Sequence, residues 1–372
     1  MLKELDLHIT NRCTSSCLYC CFESNRLKLN EFSYSQICKI LKEANGLGCT
    51  DVHITGGEPL IREDILDIVA FANSLDFHIR MQTNGSLLSK KMAIALYDAG
   101  LKSIMISLDS FNQETHEKMR GQGTFLSTLL AIRIALEAKL NVRINSVLTK
   151  VNKSEIFDTI EFVRKLGIKN YSAFYFSPIG SGRSISNEWI PPEEYLQFWN
   201  GLQKLIKNSY NLHDMNIIIE KGYANWVEAK KIDVSNFTGC GGGCLNTYNN
   251  KDYIIIRCDG NMYPCIMALE HSPLGNINLN SLSNIYANSE IWETLTLTGA
   301  SECGICQNKI ICGEGCRYYP HLINKSSEHD DRCIVNRVVP LCPIMKYNSL
   351  NNSLGGSSDD VMVENEENKY DK

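Results

Sequence analysis

Long apolar runs, an export signal and a surplus of positive charge are all missing from this sequence. No stretch is hydrophobic enough to span a bilayer, so no membrane partner is expected. The opening MLKELDLHIT reads as a strand and lacks the basic and apolar regions of a secretory signal, which points to a cytoplasmic protein. Lys and Arg number 37 against 42 Asp and Glu, a net charge of -5, and such a field does not draw nucleic acid. Cysteine is absent from residues 50 to 239.

Outside that gap cysteine is abundant, with sixteen in the chain. A cytosolic chain cannot hold them as a disulfide framework, because that compartment keeps thiols reduced. They are left as metal ligands, catalytic groups or buried core. Cys38 and Cys49 fall on a predicted helix and a strand start among apolar neighbours and read as ordinary buried thiols. The other fourteen form two groups, at 13–21 and at 240–342.

From the start to about residue 177, short β-branched runs alternate with amphipathic stretches, roughly every 25 to 30 residues. Strands are predicted at 5–10, 51–55, 78–82, 103–108, 143–148 and 171–176, and helices at 34–45, 63–74, 90–99, 125–138 and 155–166. Gly46, Gly48, Gly100 and Gly167 stand where left-handed caps would close helices. Right-handed βα crossovers wind into a parallel sheet or barrel, whose ligands sit at the carboxyl ends of the strands. The unusual residues collect there: 11–21, 56–59, 83–85, Asp109 with Ser110, and 177–182. Residues 1–185 are thus expected to form an α/β barrel domain and 186–238 a helical bridge. A Cys-, Gly- and Asn-rich domain is expected at 239–347, with a short strand near 253–257 and metal supplying part of its folding energy. Residues 348–372 read as a disordered acidic tail.

Cys13, Cys17 and Cys20 form CxxxCxxC, with Tyr19 before the last thiol. Three thiolates leave open the fourth position that a catalytic metal needs. Cys21 is a conceivable fourth ligand, but adjacent cysteines rarely reach one metal from a tight loop. A zinc knuckle is the plainer alternative for the whole loop. CTSSCLYC followed by ITGGEP resembles the radical S-adenosylmethionine (SAM) superfamily. The resemblance implies a partial (β/α)6 barrel, a [4Fe–4S] cluster on the three cysteines and SAM chelated to it. It further implies reductive cleavage of SAM to a 5′-deoxyadenosyl radical. By the same resemblance Gly56, Gly57, Glu58 and Pro59 would face the methionyl amine, the glycines permitting a close approach that a Cβ would block. Ser107 and Arg120 would bind the SAM carboxylate, with Thr83, Asn84, Asp109 and Asn145 at the same rim. Capping by Ser107 and Asp109 and a surface position for Arg120 are the alternatives. His8 and His53 lie on strands near this rim and read as packing residues.

Cys303, Cys306, Cys312 and Cys316 give CxxCxxxxxCxxxC, preceded by Cys244 and Cys265 and followed by Cys333. This series resembles the SPASM extension, a small cysteine-rich domain that implies two auxiliary [4Fe–4S] clusters. One would use Cys240, Cys244, Cys265 and Cys316, the other Cys303, Cys306, Cys312 and Cys333. Cys258 rivals Cys240, and Cys342 rivals Cys333. Enzymes of this kind mostly modify ribosomally made peptides or proteins, and a peptide-modifying maturase is the leading expectation. No leader-capturing module precedes the first strand, so a tetrapyrrole of the haem pathway is the second. A non-catalytic redox or metal-binding scaffold is the third. A ferredoxin or flavodoxin is expected as reductant.

Overall fold

The computed structural model describes residues 1–212, 214–219, 252–270 and 273–288. Six strands alternate with helices through the first half: β1 (Glu4–His8), α1 (Tyr34–Gly46), β2 (Asp51–Thr55), α2 (Ile65–Ser74), β3 (His78–Thr83) and α3 (Lys90–Ala99). Then come β4 (Ser103–Ser107), α4 (Gln113–Arg120), α5 (Thr124–Glu137), β5 (Asn141–Leu148), α6 (Ile156–Lys165) and β6 (Asn170–Tyr175). Strands β1 to β6 pair in parallel, each with the next.

Helix starts follow local chemistry. Ser33 and Gln36 exchange hydrogen bonds in a capping box before α1, and Ser89 caps α3. Gly100 closes α3 in the left-handed region at φ 116°, as expected, whereas Gly46 is the last residue of α1 and the left-handed turn falls at Gly48. Cys49 is buried and Cys38 half-buried.

Alternation along the strands sorts the two faces of the sheet. Leu5, Leu7, Val52, Ile54, Ile79, Met81, Ile104, Ile106, Val142 and Ile144 are buried on one of them. Helix α2 packs on β3, and α5 on β4 and β5. Each such side chain contributes roughly 1.5–3 kcal/mol by leaving water. The opposite face carries Glu4, Asp6, His8, His53, Arg80, Asn145 and Arg143.

The sheet does not stop at these six strands. After α7 (Pro192–Asn208), β7 (Asn216–Ile219) joins β6 in parallel, so the stretch expected as a helical bridge also supplies a strand. On the other side β8 (Tyr253–Ile256) pairs in parallel with β1 and is followed by β9 (Asn261–Tyr263), β10 (Gly275–Asn276) and α8 (Leu282–Asn288). The ten strands run β10-β9-β8-β1-β2-β3-β4-β5-β6-β7. The first strand of the cysteine-rich segment therefore extends the main sheet, and its Ile254, Ile255 and Ile256 are fully buried there, so packing orders this part of the segment. Among the described residues no helix is long and apolar enough to cross a membrane. Cys240, Cys244, Cys303, Cys306, Cys312, Cys316, Cys333 and Cys342, and the tail 348–372, lie outside the described residues.

Candidate active site

Cys13, Cys17 and Cys20 sit on the loop that leaves β1, and this loop is held from several sides. The Asn25 side chain accepts from Cys13 N at 2.8 Å and donates to Cys13 O at 2.6 Å, while its backbone N–H reaches Asn11 O at 2.9 Å. Glu31 accepts from Thr10 Oγ1 at 2.6 Å and Asn11 N at 2.9 Å. Arg62, paired with Asp64, donates to Ile9 O at 3.1 Å and Phe32 O at 2.9 Å. The buried polar backbone of an irregular loop is thereby satisfied.

Gly56, Gly57 and Glu58 clasp the same loop from β2. Gly57 N donates to Thr10 O at 2.7 Å and Glu58 N to Arg12 O at 2.8 Å. A Cβ on Gly57 would stand 2.2 Å from Arg12 O, and one on Gly56 2.6 Å from Thr10 O. What comes close to the glycines is thus the cysteine loop itself, a cause for the glycine pair that the spacing alone did not reveal.

Glu58 is fully buried and accepts from Thr83 Oγ1 at 2.7 Å, Asn84 N at 2.8 Å and Leu60 N at 3.1 Å. Burial raises its pKa, and these donors pull the other way. Pro59 opens the short helical turn Pro59–Ile61 that Glu58 caps. Thr83 accepts in turn from Gly85 N at 2.9 Å. Glu58 and Thr83 therefore spend these atoms on tying strand ends together, whereas Asn84 reaches the cysteine loop, donating to Thr14 Oγ1 at 2.9 Å and lying 3.7 Å from Cys13 Sγ.

Asp109 is the second hub. Fully buried, it accepts from Arg120 Nε at 2.6 Å, from Val147 N at 2.8 Å and from the Tyr19 hydroxyl in a short contact. Arg120 ends α4 with its side chain 8% exposed, so it is not a surface residue. Its Nη1 lies 3.9 Å from Cys17 Sγ and its guanidinium 5.4 Å from the Tyr19 ring centre. Burial opposes the Arg120 charge, but Asp109 overcomes that and raises its pKa. Burial also pushes the Cys17 thiol up to about 12, against the pull of Arg120. Ser107 and Asn145 stand level across β4 and β5 at this rim, and Asn145 accepts from Ser172 Oγ at 3.3 Å. The aromatic before the third cysteine was visible in the sequence, but not its bond to Asp109.

The donor set suits an iron–sulfur cluster. Burial raises the pKa of the Cys13 and Cys17 thiols, and the charge of Cys20 adds to both. Nitrogen donors surround them: Ser15 N at 3.4 Å and Asn84 Nδ2 at 3.7 Å from Cys13, and Arg120 at Cys17. Among the described residues no three Cys, His, Asp or Glu groups converge tightly enough for a single ion, and a four-iron cube sets its ligands wider. The two described cysteines of the later segment, Cys258 and Cys265, are both buried. Burial, then the Asp259 charge, pushes the Cys258 thiol up to about 12.

Residues 7–174 match the radical SAM superfamily, and residues 244–312 match SPASM, an iron–sulfur cluster-binding domain. The chain carries a radical SAM domain and a SPASM domain. An AdoMet-dependent heme synthase of Methanosarcina barkeri is 27% identical to this chain over 324 residues, 83% of this chain and 89% of that one. A probable GTP 3′,8-cyclase of Saccharolobus islandicus is 32% identical over 189 residues, 50% of this chain, which spans 61% of the cyclase. Among solved structures, anSMEcpe with bound AdoMet superposes with a TM-score of 0.72 at 19% identity, covering 95% of this chain and 100% of that one. Streptococcus suis SuiB bound to its precursor peptide SuiA gives 0.74 at 20% identity, covering 88% and 74%. At these identities the structural likeness is one of fold.

Proposed function

We propose that this radical SAM enzyme removes a hydrogen atom from a ribosomally made peptide or protein. The observation that carries the reading is the three-thiol loop, held by Gly57, Glu58 and Asn25, with Arg120 fixed beside Cys17 by Asp109 and Tyr19. Cys13, Cys17 and Cys20 would hold an iron–sulfur cluster, which would supply the electron for reductive cleavage of SAM to a 5′-deoxyadenosyl radical. Arg120 and Ser107 bind the SAM carboxylate, and Asn84 and Asn145 complete the rim. Two auxiliary clusters use Cys240, Cys244, Cys265 and Cys316, and Cys303, Cys306, Cys312 and Cys333. The Asp259 charge beside Cys258 weighs against it as the rival of Cys240, because nearby negative charge opposes a thiolate. A ferredoxin or flavodoxin delivers the electrons.

A second reading, side-chain oxidation of a tetrapyrrole, is favoured by the alignment with the heme synthase, which runs through both the radical SAM and the SPASM region. The peptide reading draws on the fold shared with the peptide-bound SuiB. Anaerobic reconstitution tests the common core. The wild type should hold about twelve irons and yield 5′-deoxyadenosine, and Cys13→Ala/Cys17→Ala/Cys20→Ala about eight irons and none of the product. An unchanged yield in the triple variant sinks the assignment. Submicromolar porphyrin binding, with no binding of peptides encoded beside the enzyme, sinks the peptide reading and leaves the second.

A further inference from the structure

The polar face of the sheet carries more hydrogen-bond donors than the protein uses. His8 Nδ1 and Nε2, His53 Nε2, Arg80 Nε, Arg143 Nη1 and Arg257 Nε are all buried without a hydrogen-bond partner among the described residues. A buried polar atom left unpaired costs about 1–3 kcal/mol, so their concentration on one face marks a place built for something else. All the unpaired atoms on this face are nitrogens except Asp6 Oδ1, which faces His53 Nδ1 in an ion pair at 2.5 Å, and the three guanidinium groups can only donate.

Charge is unbalanced there as well. Asp6 is taken by His53 Nδ1 at 2.5 Å and by the Tyr253 hydroxyl at 2.6 Å, and Glu4 pairs with Arg80 at 2.5 Å. Arg257 faces Asp259 at 3.7 Å. Among the described residues Arg143 has only the neutral Asn170 Oδ1 at 3.5 Å, and both burial and the Arg80 charge disfavour its charged form. An unneutralised guanidinium in a half-buried site is an anion site in waiting.

Its position fits a substrate rather than SAM. On β5, Arg143 precedes Asn145 by two residues on the same face, about 7 Å further from the rim. A group held by Arg143 leaves the rest of its molecule directed toward the cysteine loop. We propose that Arg143, flanked by Arg80, binds a carboxylate of the substrate on this face of the sheet. The inference rests on the enzymatic reading above and narrows its substrate to a carboxylate-bearing molecule, whether an acidic peptide or an acid-substituted tetrapyrrole.

Two probe pairs test it by anaerobic equilibrium binding: a porphyrin with four carboxylate side chains against its methyl ester, and a Glu-rich nonapeptide against its Gln counterpart. At least one acid should bind about tenfold or more tightly than its uncharged partner, and the pair that responds names the source of the carboxylate. Arg143→Met should abolish the preference without lowering the melting temperature of the ligand-free protein, since it removes an unpaired buried charge. Arg143→Lys should keep the preference in part. No preference in either pair, a preference that survives Arg143→Met, or a melting point several degrees lower in that variant overturns the site. Failure of the wild type to make 5′-deoxyadenosine would instead sink the enzymatic reading, leaving the binding result to stand by itself.

Discussion

At the scale of single residues, the site depends on side chains that hold other side chains. Arg120 can approach Cys17 because Asp109 accepts its Nε and Tyr19 lies against it. Asp109→Asn keeps the shape but removes the counter-charge of a buried guanidinium, a loss on the order of 3 kcal/mol. The expected outcome is a lower melting temperature and about tenfold weaker SAM binding in anaerobic dialysis. Combining it with Arg120→Gln should cost less than the sum of the two single changes, as for groups acting as a unit. Wild-type SAM affinity in Asp109→Asn would show that Arg120 needs no such partner. Both residues were legible in the sequence as polar groups at a strand end and beyond it. Their pairing was not, nor was the use of Glu58 and Thr83 as ties between loops, because sequence gives the residue type at a rim and not how its lone pairs are spent.

Among the elements, periodicity located α3 and β2 to the residue, since each is flanked by a cap, a glycine or a sharp change of polarity. It missed α4, whose eight residues QETHEKMR have no apolar stripe. Its sign was Asn112, which accepts from Glu114 N at 2.9 Å as an N-cap. The glycines were read as space for a ligand, yet the turn after β2 is shaped by its contact with the turn after β1. Gly57→Ala would drive a Cβ to 2.2 Å from the Arg12 carbonyl, and neither backbone has room to yield. That variant should lose about four irons per chain after reconstitution, with 5′-deoxyadenosine formation falling in step. Gly46→Ala supplies the contrast. A Cβ there meets nothing within 4 Å, and alanine inside a helix gains roughly 0.5–1 kcal/mol over glycine. Full iron content in Gly57→Ala would separate the glycine clasp from cluster retention.

For the molecule as a whole, the sheet joins segments far apart in the chain. The run YIII at 253–256 was recognisable as a strand, but its partner was not, because hydrophobic pattern specifies a buried face without naming the neighbour. The register supplies the answer: Leu5 and Leu7 align with Ile254 and Ile256, and Asp6 accepts from the Tyr253 hydroxyl at 2.6 Å. Burial alone would raise the pKa of Asp6, but His53, Tyr253 and Arg80 together hold it below the usual carboxylate range. The carboxylate at the centre of β1 is therefore charged in the folded protein, and Tyr253 donates to a charged acceptor. Such a bond is worth about 1.5–3 kcal/mol, more than a neutral one. Tyr253→Phe should lower the melting temperature by at least roughly 2 °C, the shift expected for about 1 kcal/mol in a large domain. Asp6→Asn should recover part of that loss when combined with it, since the carboxylate whose partner has gone is then no longer buried and charged. A coupling near zero in the cycle of Tyr253→Phe with Asp6→Asn would mean that β8 is held to β1 by its backbone and isoleucines alone, with the tyrosine a bystander on the polar face.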